Sequence, residues 1–323
     1  MWAHLAHIAH IDAPTYDCHT LVIETVASWQ PFERLAKVIW LSNWREGRLG
    51  MLAVFDASGS KHDHPVLIVA GFVSSVNDWL DFDREWKDRL SRDGLEYFHA
   101  QPFAQSSGPF KNGWEGNTRR RHSLMRDLVG IIISHAHRKE ACVVPNRTHS
   151  ANMSPEIRKA FRLEAYPLAG RTVAKKVMDY AISFRSRYVP EFVFEDGDLD
   201  KGMLMERFEK DGYPKPIFKP KKDTVNKQTG LITPGYTPLQ AADLWAYELF
   251  LAYKHDRKNV PFGSMRWPFK ELDKMQGEAG IYLDESMRRT NSMLDQQRSG
   301  SAVIRDPLSG AVLLPHFKQR EKK

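Results

Sequence analysis

Cysteine is scarce in this chain, and long apolar runs are missing. Cys18 and Cys142 are the only two cysteines, and they lie far apart without forming a CxxC pair. The sequence therefore predicts neither a disulfide framework nor a zinc finger. No apolar run approaches the roughly 18 residues that a membrane span requires, and the amino terminus lacks a basic region followed by an apolar core. We therefore expect a cytoplasmic protein that is neither secreted nor inserted into a membrane.

Charged residues, in contrast, are plentiful and unevenly distributed. Of the 323 residues, 42% are hydrophobic and 27% are charged, which is an ordinary balance for a globular protein. The formal net charge is +7. Acidic and basic residues nearly cancel within the first fifty positions, so the positive excess belongs to the part that begins at Met51. A positive surface favours an anionic partner, and we expect that partner to be a nucleic acid, either RNA or DNA.

The organisation of the chain is predicted from where clear patterns begin and end. The first convincing strand starts at Met51, so residues 1–50 are expected to be a poorly ordered extension or the result of an upstream start codon, with Met51 as the alternative start. Residues 51–256 are expected to form one α/β domain. Residues 257–323 are expected to form a helical and hairpin extension packed on that domain, with the hairpin around residues 306–310.

The stretch Met51–Ser60, MLAVFDASGS, is the first candidate for a functional position. An apolar run leads directly into Asp56 and is then stopped by small, turn-forming residues. This is the pattern of a strand buried on both faces, and ligands of open α/β sheets gather at the carboxyl ends of such strands. The alternative is an Asx-turn, in which the Asp56 side chain bonds the backbone two residues later. The sequence alone leaves both interpretations open.

Further elements follow from hydrophobic spacing and turn residues. The next apolar run, 65–75, is expected to form an antiparallel hairpin with the first strand. Two amphipathic helices, 77–90 and 118–137, flank a loop rich in aromatic residues that we expect to dock onto the body. Within that loop, His99 is either a packed core histidine or part of the site. A third strand is predicted at 140–146, one or two helices over 155–188 with a break near Pro167 and Gly170, and a final strand at 215–220.

A second acidic position lies in the predicted strand segment 191–198, EFVFEDGD. Its apolar residues run into Glu195, Asp196 and Asp198, repeating the arrangement around Asp56. Downstream, residues 219–227 hold four lysines. A basic stretch of this kind is solvated by default, but beside an acidic site it also suits a phosphate backbone. The lysines that we predict to bind nucleic acid are Lys201, Lys219, Lys221 and Lys222.

The third acidic position lies in TPLQAADLWAYELFLAY. Thr237 is predicted to be the N-cap and Gln240, three residues later, to complete a capping box, which fixes the phase of the helix. That phase places Asp243 within an apolar stripe. A buried carboxylate needs a cation, a hydrogen-bond donor or a proton. No lysine or arginine follows at helical spacing before Lys254, so either a metal ion or an N–H donor from a neighbouring element is expected.

Three acidic groups that converge on one point would repel one another unless a cation neutralised them. Asp56, Glu195 and Asp243, with Asp198 beside them, offer the hard oxygen ligands that Mg²⁺ or Mn²⁺ prefers. Metal ions held in this way activate water and stabilise the leaving oxygen in phosphodiester hydrolysis. The sequence therefore predicts a site with magnesium or manganese as its cofactor.

These residues resemble a known family. FDASG, the strand ending in AGFV, FHA followed by GPFKNGW, FVFEDGD followed by Lys201, and PLQAADLWAYE together resemble the bacterial and phage family called domain of unknown function 3800. The resemblance covers about residues 51–253. It implies an RNase H-like fold, a mixed sheet flanked by helices, and it implies Asp56, Glu195 and Asp243 as the acidic residues of the site. Asp198 and His99 are implied as neighbours. This chain departs from the family at Ala57, where many members have glutamate.

Two functional hypotheses follow. The first is a metal-dependent nuclease that hydrolyses phosphodiester bonds in RNA or DNA, in phage defence or on a mobile element, with Asp56, Glu195, Asp243 and His99 as its catalytic residues. The alternative is a catalytically inactive RNase H-like module that binds nucleic acid or a protein. Carboxylates within one metal coordination sphere would favour the nuclease. A lysine or arginine filling the centre would favour the binding module.

Overall fold

The fold is α/β, with a mixed six-stranded sheet covered by helices on both faces. The computed structural model describes residues 50–59, 64–183, 190–197, 200–256 and 265–299. In it the sheet has the order β5-β4-β1-β2-β3-β8. These strands are β1 (Met51–Ser58), β2 (Val66–Ser75), β3 (Arg138–Pro145), β4 (Pro190–Glu195), β5 (Ile217–Lys219) and β8 (Gly277–Ile281). A separate two-stranded ribbon consists of β6 (Thr224–Val225) and β7 (Ile232–Thr233).

Strand directions place β1 at the centre of the mixed sheet. β1 pairs antiparallel with β2 on one side and parallel with β4 on the other. β2 pairs antiparallel with β3, whereas β4–β5 and β3–β8 are parallel pairs. The expected hairpin between the first two strands is therefore confirmed. Because β1, β4 and β5 run in the same direction, their carboxyl ends lie at one edge of the sheet.

Ten α-helices connect the strands within the described residues. They are α1 (Val76–Ser91), α2 (Ala100–Ala104), α3 (Thr118–His135), α4 (Asn146–Asn152), α5 (Pro155–Phe161), α6 (Ala165–Ser183), α7 (Lys201–Asp211), α8 (Pro238–Asp256), α9 (Trp267–Asp273) and α10 (Asp284–Arg298). No helix in these ranges is both long and apolar enough to cross a membrane.

Two hydrophobic cores lie on opposite faces of the sheet. Alternate residues of β1 contribute to the two cores. Leu52 and Val54 face the core formed with α1, α3 and α8, whereas Ala53 and Phe55 face the core formed with α6 and α7. This alternation follows from the two-residue period of a strand. It also means that Asp56 lies on the α8 side, because it continues the series Leu52, Val54.

The aromatic loop before α3 is docked onto the body, as the sequence predicts. Its four large side chains are buried and pack against one another at their edges: Phe98, Phe103, Phe110 and Trp114. Arg120 and Arg121, in the first turn of α3, hold the loop in place. The Arg120 guanidinium lies 4.0 Å from the centre of the Trp114 ring, and that of Arg121 lies 4.2 Å from the Phe103 ring. These arginines stabilise the loop through cation–π contacts.

Several predicted boundaries are wrong. The break in the helical stretch falls at Arg162, which ends α5 in the left-handed conformation, with φ 54°. Pro167 and Gly170 instead lie inside α6, because the third residue of a helix tolerates proline and Gly170 allows close packing against Leu204. In the predicted carboxyl-terminal extension, β8 joins the six-stranded sheet beside β3. Residues 1–49 and the predicted hairpin at 306–310 lie outside the described residues.

Candidate acidic centre

Asp56 and Glu195 come together at one edge of the sheet. Phe55 pairs with Phe194 in the parallel register of β1 and β4, so the next residue of each strand, Asp56 and Glu195, is level with the other. Both carboxylates face α8, since Val54 and Val193 two residues earlier belong to the core on that side. Asp56 is buried, and Glu195 is close enough to raise the pKa of Asp56.

Asp243 approaches the same point from α8. The helix begins at Pro238, immediately after Thr237, in agreement with the predicted start. The predicted capping box is wrong, because the Thr237 hydroxyl donates to Asp83 and the Gln240 side chain bonds other segments. The helical phase nevertheless holds, and Asp243 is buried.

Lys221 occupies the space between the two aspartates. Its Nζ lies 2.7 Å from Asp56 Oδ2 and 2.9 Å from Asp243 Oδ1. Its side chain is only 15% exposed. The predicted nucleic-acid-binding residue Lys221 thus points into the protein, where the two carboxylates attract its ammonium, and not to the surface.

The charges of this cluster depend on one another. Burial alone would lower the pKa of Lys221, but Asp56, Asp243 and Glu195 raise it well above its ordinary value, so the ammonium stays charged. Burial raises the pKa of Asp56, and Lys221 opposes that effect. For Asp243, burial would also raise the pKa, but Lys221, His99 and the Ala100 N–H together lower it. One ammonium thus lies among three carboxyl groups.

His99 lies at the rim of the centre. Its Nε2 is 3.5 Å from Asp243 Oδ1, and its side chain is 31% exposed. Burial lowers the pKa of His99, and the positive charges of Lys221 and Lys222 lower it further, whereas Asp243 raises it. The ring is therefore mostly neutral at neutral pH. Of the two interpretations of His99, the structure favours a position at the site.

The remaining predicted residues are placed around the centre or away from it. Lys201 forms a 2.6 Å ion pair with Asp196, and both side chains are nearly half exposed. Lys219 is half-buried at the end of β5. Lys222 is exposed, with its Nζ 5.0 Å from the centre of the Tyr97 ring. Asp198 lies outside the described residues.

Gln240 is a positioning residue that sequence reasoning misses. Its Oε1 accepts hydrogen bonds from Trp86 Nε1 at 2.9 Å and from the Phe98 N–H at 2.8 Å, and its Nε2 donates to the Lys221 carbonyl at 2.9 Å. One buried amide thus joins α1, the aromatic loop and the segment that carries Lys221. The signal in the sequence was present, since the helical phase buries Gln240 one turn before Asp243.

The centre does not fit a metal ion with Lys221 in place. All four oxygens of the two aspartates already have protein donors or a cation: Ala57 N–H and Lys221 for Asp56, and Ala100 N–H and Lys221 for Asp243. Mg²⁺ requires oxygens at about 2.1 Å on several sides. Within the described ranges, no group of three or more His, Cys, Asp or Glu side chains is arranged to hold a metal.

A basic hairpin lies next to the centre. We define the hairpin arm as residues 222–235, which contain β6 and β7. Its tip is shaped by Asn226, whose Oδ1 accepts from the Gln228 and Thr229 N–H groups. The arm exposes both charge and apolar surface: Lys222 and Lys227 are exposed, and Val225, Leu231 and Ile232 are 58–68% exposed. The predicted basic loop is thus partly a β-ribbon.

Comparison of the chain with protein-family models, with curated proteins and with solved structures gives no match. The chemistry of the acidic centre and of the hairpin arm therefore supplies the support for a function.

Proposed function

We propose that the chain is an RNase H-like nucleic-acid-binding module in which the acidic centre is catalytically silent. The observation that carries the proposal is Lys221, which fills the centre and bridges Asp56 and Asp243. A lysine in this position neutralises the carboxylates from within the chain. Each of their four oxygens already accepts from a backbone N–H group or contacts the Lys221 ammonium.

The RNase H-like assignment is supported by the mixed sheet and by the placement of its acidic residues. β1 has an antiparallel neighbour on one side and a parallel neighbour on the other. Asp56 and Glu195 lie near the carboxyl ends of neighbouring parallel strands, and Asp243 lies on the helix that packs across β1 and β2. This is where the family resemblance implies the acidic residues of the site.

The hairpin arm is the proposed nucleic-acid contact. The arm, residues 222–235, has two lysines, Lys222 and Lys227, and a single acidic residue, Asp223, whose Oδ1 accepts from the Gly235 N–H. The exposed lysines suit phosphates, and Tyr97 beside Lys222 offers a ring on which a base can stack. The exposed apolar residues of the arm provide further contact area for bases.

Salt-dependent binding tests this proposal. Fluorescence anisotropy of labelled single-stranded, duplex and RNA–DNA hybrid oligonucleotides should show an affinity that falls with salt, because bound lysines release counterions. The double substitution Lys222→Gln/Lys227→Gln should reduce the slope of log K against log salt by up to about 1.4 to 1.8, at roughly 0.7 to 0.9 for each phosphate that is no longer neutralised.

The matched control is Lys159→Gln/Lys210→Gln. It removes the same charge from α5 and α7, which pack on the opposite face of the sheet from α8. This control should leave the slope unchanged. An equal loss of affinity in both double variants would show that binding depends on the net charge of the protein and not on the hairpin arm. The absence of binding to every oligonucleotide at low salt would contradict the proposal and leave a protein as the partner.

The metal-dependent nuclease is a second candidate, favoured by one observation. Glu195 raises the pKa of both Asp56 and Lys221, so a third carboxylate stands beside the pair. Incubation of the same oligonucleotides with Mg²⁺ or Mn²⁺ separates the candidates. The silent module leaves them intact. Cleavage by the parent chain that is abolished in Asp56→Asn would establish the nuclease instead.

A further inference from the structure

We propose that Lys221 is the permanent cation of the acidic centre: its ammonium takes the position that a divalent metal ion would need, and the intact chain therefore binds neither Mg²⁺ nor Mn²⁺ there. The exclusion of Mg²⁺ and Mn²⁺ from the centre is independent of whether the hairpin arm binds nucleic acid.

The first support is the symmetry of the contacts. Nζ of Lys221 lies at nearly equal distances from Asp56 and Asp243, 2.7 and 2.9 Å. Each aspartate directs its other oxygen to a backbone N–H, that of Ala57 at 2.8 Å and that of Ala100 at 2.6 Å. The backbone thus orients both carboxylates, and the second oxygen of each one faces the Lys221 ammonium.

The second support is the fixed backbone at Lys221. The Lys221 carbonyl accepts from Gln240 Nε2 at 2.9 Å, and the preceding Pro220 carbonyl accepts from the Tyr236 N–H at 2.7 Å. The two ends of the segment 220–236 are therefore held together at the centre. Because the backbone is already fixed, only the side-chain freedom of Lys221 remains to be lost when it reaches the carboxylates.

The third support is competition. A divalent ion that entered between the aspartates would have to displace a cation tethered to the same chain, and tethering gives that cation a high effective concentration. The displaced ammonium would also have to leave a site in which its side chain is only 15% exposed. Without Lys221, two buried carboxylates would face each other beside Glu195, which is an arrangement that favours a divalent ion.

Mn²⁺ binding without nucleic acid tests the inference. Electron paramagnetic resonance distinguishes free from bound Mn²⁺, and thermal unfolding reports stabilisation by the same ion. The parent chain should show no Mn²⁺ site in the centre and no rise in Tm. Lys221→Met keeps the apolar stem and removes the charge, so this variant should bind Mn²⁺ at least tenfold more tightly and gain Tm as the Mn²⁺ concentration increases.

Three controls assign the result to the centre. Lys222→Met, one residue away and exposed, should behave like the parent. Lys221→Met/Asp56→Asn should lose the new Mn²⁺ binding, because one ligand is gone. Lys221→Arg keeps a cation and should exclude Mn²⁺ as the parent does. Equal affinity of the parent and of Lys221→Met for Mn²⁺ would overturn the proposal. If Lys221→Met does not fold, the parent chain alone provides the test: Mn²⁺ binding by the parent that disappears in Asp56→Asn would also overturn the proposal.

Discussion

Replacement of Asp243 by asparagine should destabilise the protein markedly. Asp243 Oδ1 bonds Lys221, and Oδ2 accepts from the Ala100 N–H at 2.6 Å. Asparagine has nearly the same shape but one acceptor oxygen and one NH₂ group. If the amide oxygen faces Ala100, the NH₂ group meets the Lys221 ammonium; if it faces Lys221, the NH₂ group meets the Ala100 N–H. Either orientation sets one donor against another.

The magnitude follows from the burial of the site. A buried donor left without an acceptor costs about 1–3 kcal/mol, and breaking a buried ion pair by removing one partner costs about 3–5 kcal/mol. Lys221 keeps Asp56 in the variant, so the lower part of that range applies. We expect the free energy of unfolding to fall by about 3 kcal/mol.

Urea denaturation measures this loss, with the fluorescence of four buried tryptophans as the signal: Trp79, Trp86, Trp114 and Trp245. Asp88→Asn is the matched control, because Asp88 forms an exposed ion pair with Arg92 and its loss should change stability by less than about 0.5 kcal/mol. A metal site predicts the opposite result for Asp243→Asn. If the variant is as stable as the parent, or more stable, repulsion between carboxylates dominates and our reasoning about Lys221 is refuted.

Two further predictions concern the body of the protein. Burial raises the pKa of Glu248 to about 7, although Arg266 opposes the shift; the stabilisation from this bound proton is complete below about pH 4.5 and is lost as the pH rises through 7. The free energy of unfolding of Glu248→Gln should therefore increase relative to that of the parent by about 3 kcal/mol between pH 4.5 and pH 8. If urea denaturation gives the same difference between the two proteins across that pH range, this assignment is contradicted. Gly71→Ala should lower the free energy of unfolding by about 3 kcal/mol or more in the same assay, because the new Cβ would lie 1.8 Å from the Val54 carbonyl oxygen. Gly130→Ala, in open space within α3, should instead stabilise by about 0.5–1 kcal/mol, and equal effects of the two substitutions would show that backbone crowding is not the cause.

The parts of the fold that local patterns specify could be predicted from the sequence. The apolar run that ends at Asp56 predicted a buried strand, and β1 is buried from Leu52 to Asp56. The spacing around Asp243 predicted its burial on the apolar face of α8, which is confirmed. These predictions are correct because buried positions select apolar residues, and the backbone of a strand or helix repeats such positions at a fixed period.

The partner of Asp243 could not be predicted from helical spacing. A cation at matching positions of α8 was absent before Lys254, so a metal ion was the natural expectation. The cation comes instead from Lys221, which precedes the helix and reaches the site only because β5 ends beside β4. Spacing within one element says nothing about contacts between elements.

Weak strands were missed for a related reason. β8 has the sequence GEAGI and is largely exposed, so it lacks the alternation that marks a strand and has Ile281 as its one β-branched residue. It exists because β3 offers an edge for pairing. The two-residue strands of the hairpin arm likewise carry no pattern of their own.

The central position of β1 has a consequence for how the chain folds. Only a short connection joins β1 to β2, whereas the segment between β1 and β4 is roughly twenty times longer, which adds about 2.6 kcal/mol of loop-closure entropy to the second pairing. The meander β1-β2-β3 can therefore assemble while β4 is still distant. Until β4 pairs with it, β1 would be an edge strand, with the unpaired backbone of the apolar residues Leu52–Phe55 exposed along one side. An exposed apolar edge is a template for pairing with other chains, so the pairing of residues 190–195 with β1 covers this edge as well as bringing Glu195 to the acidic centre.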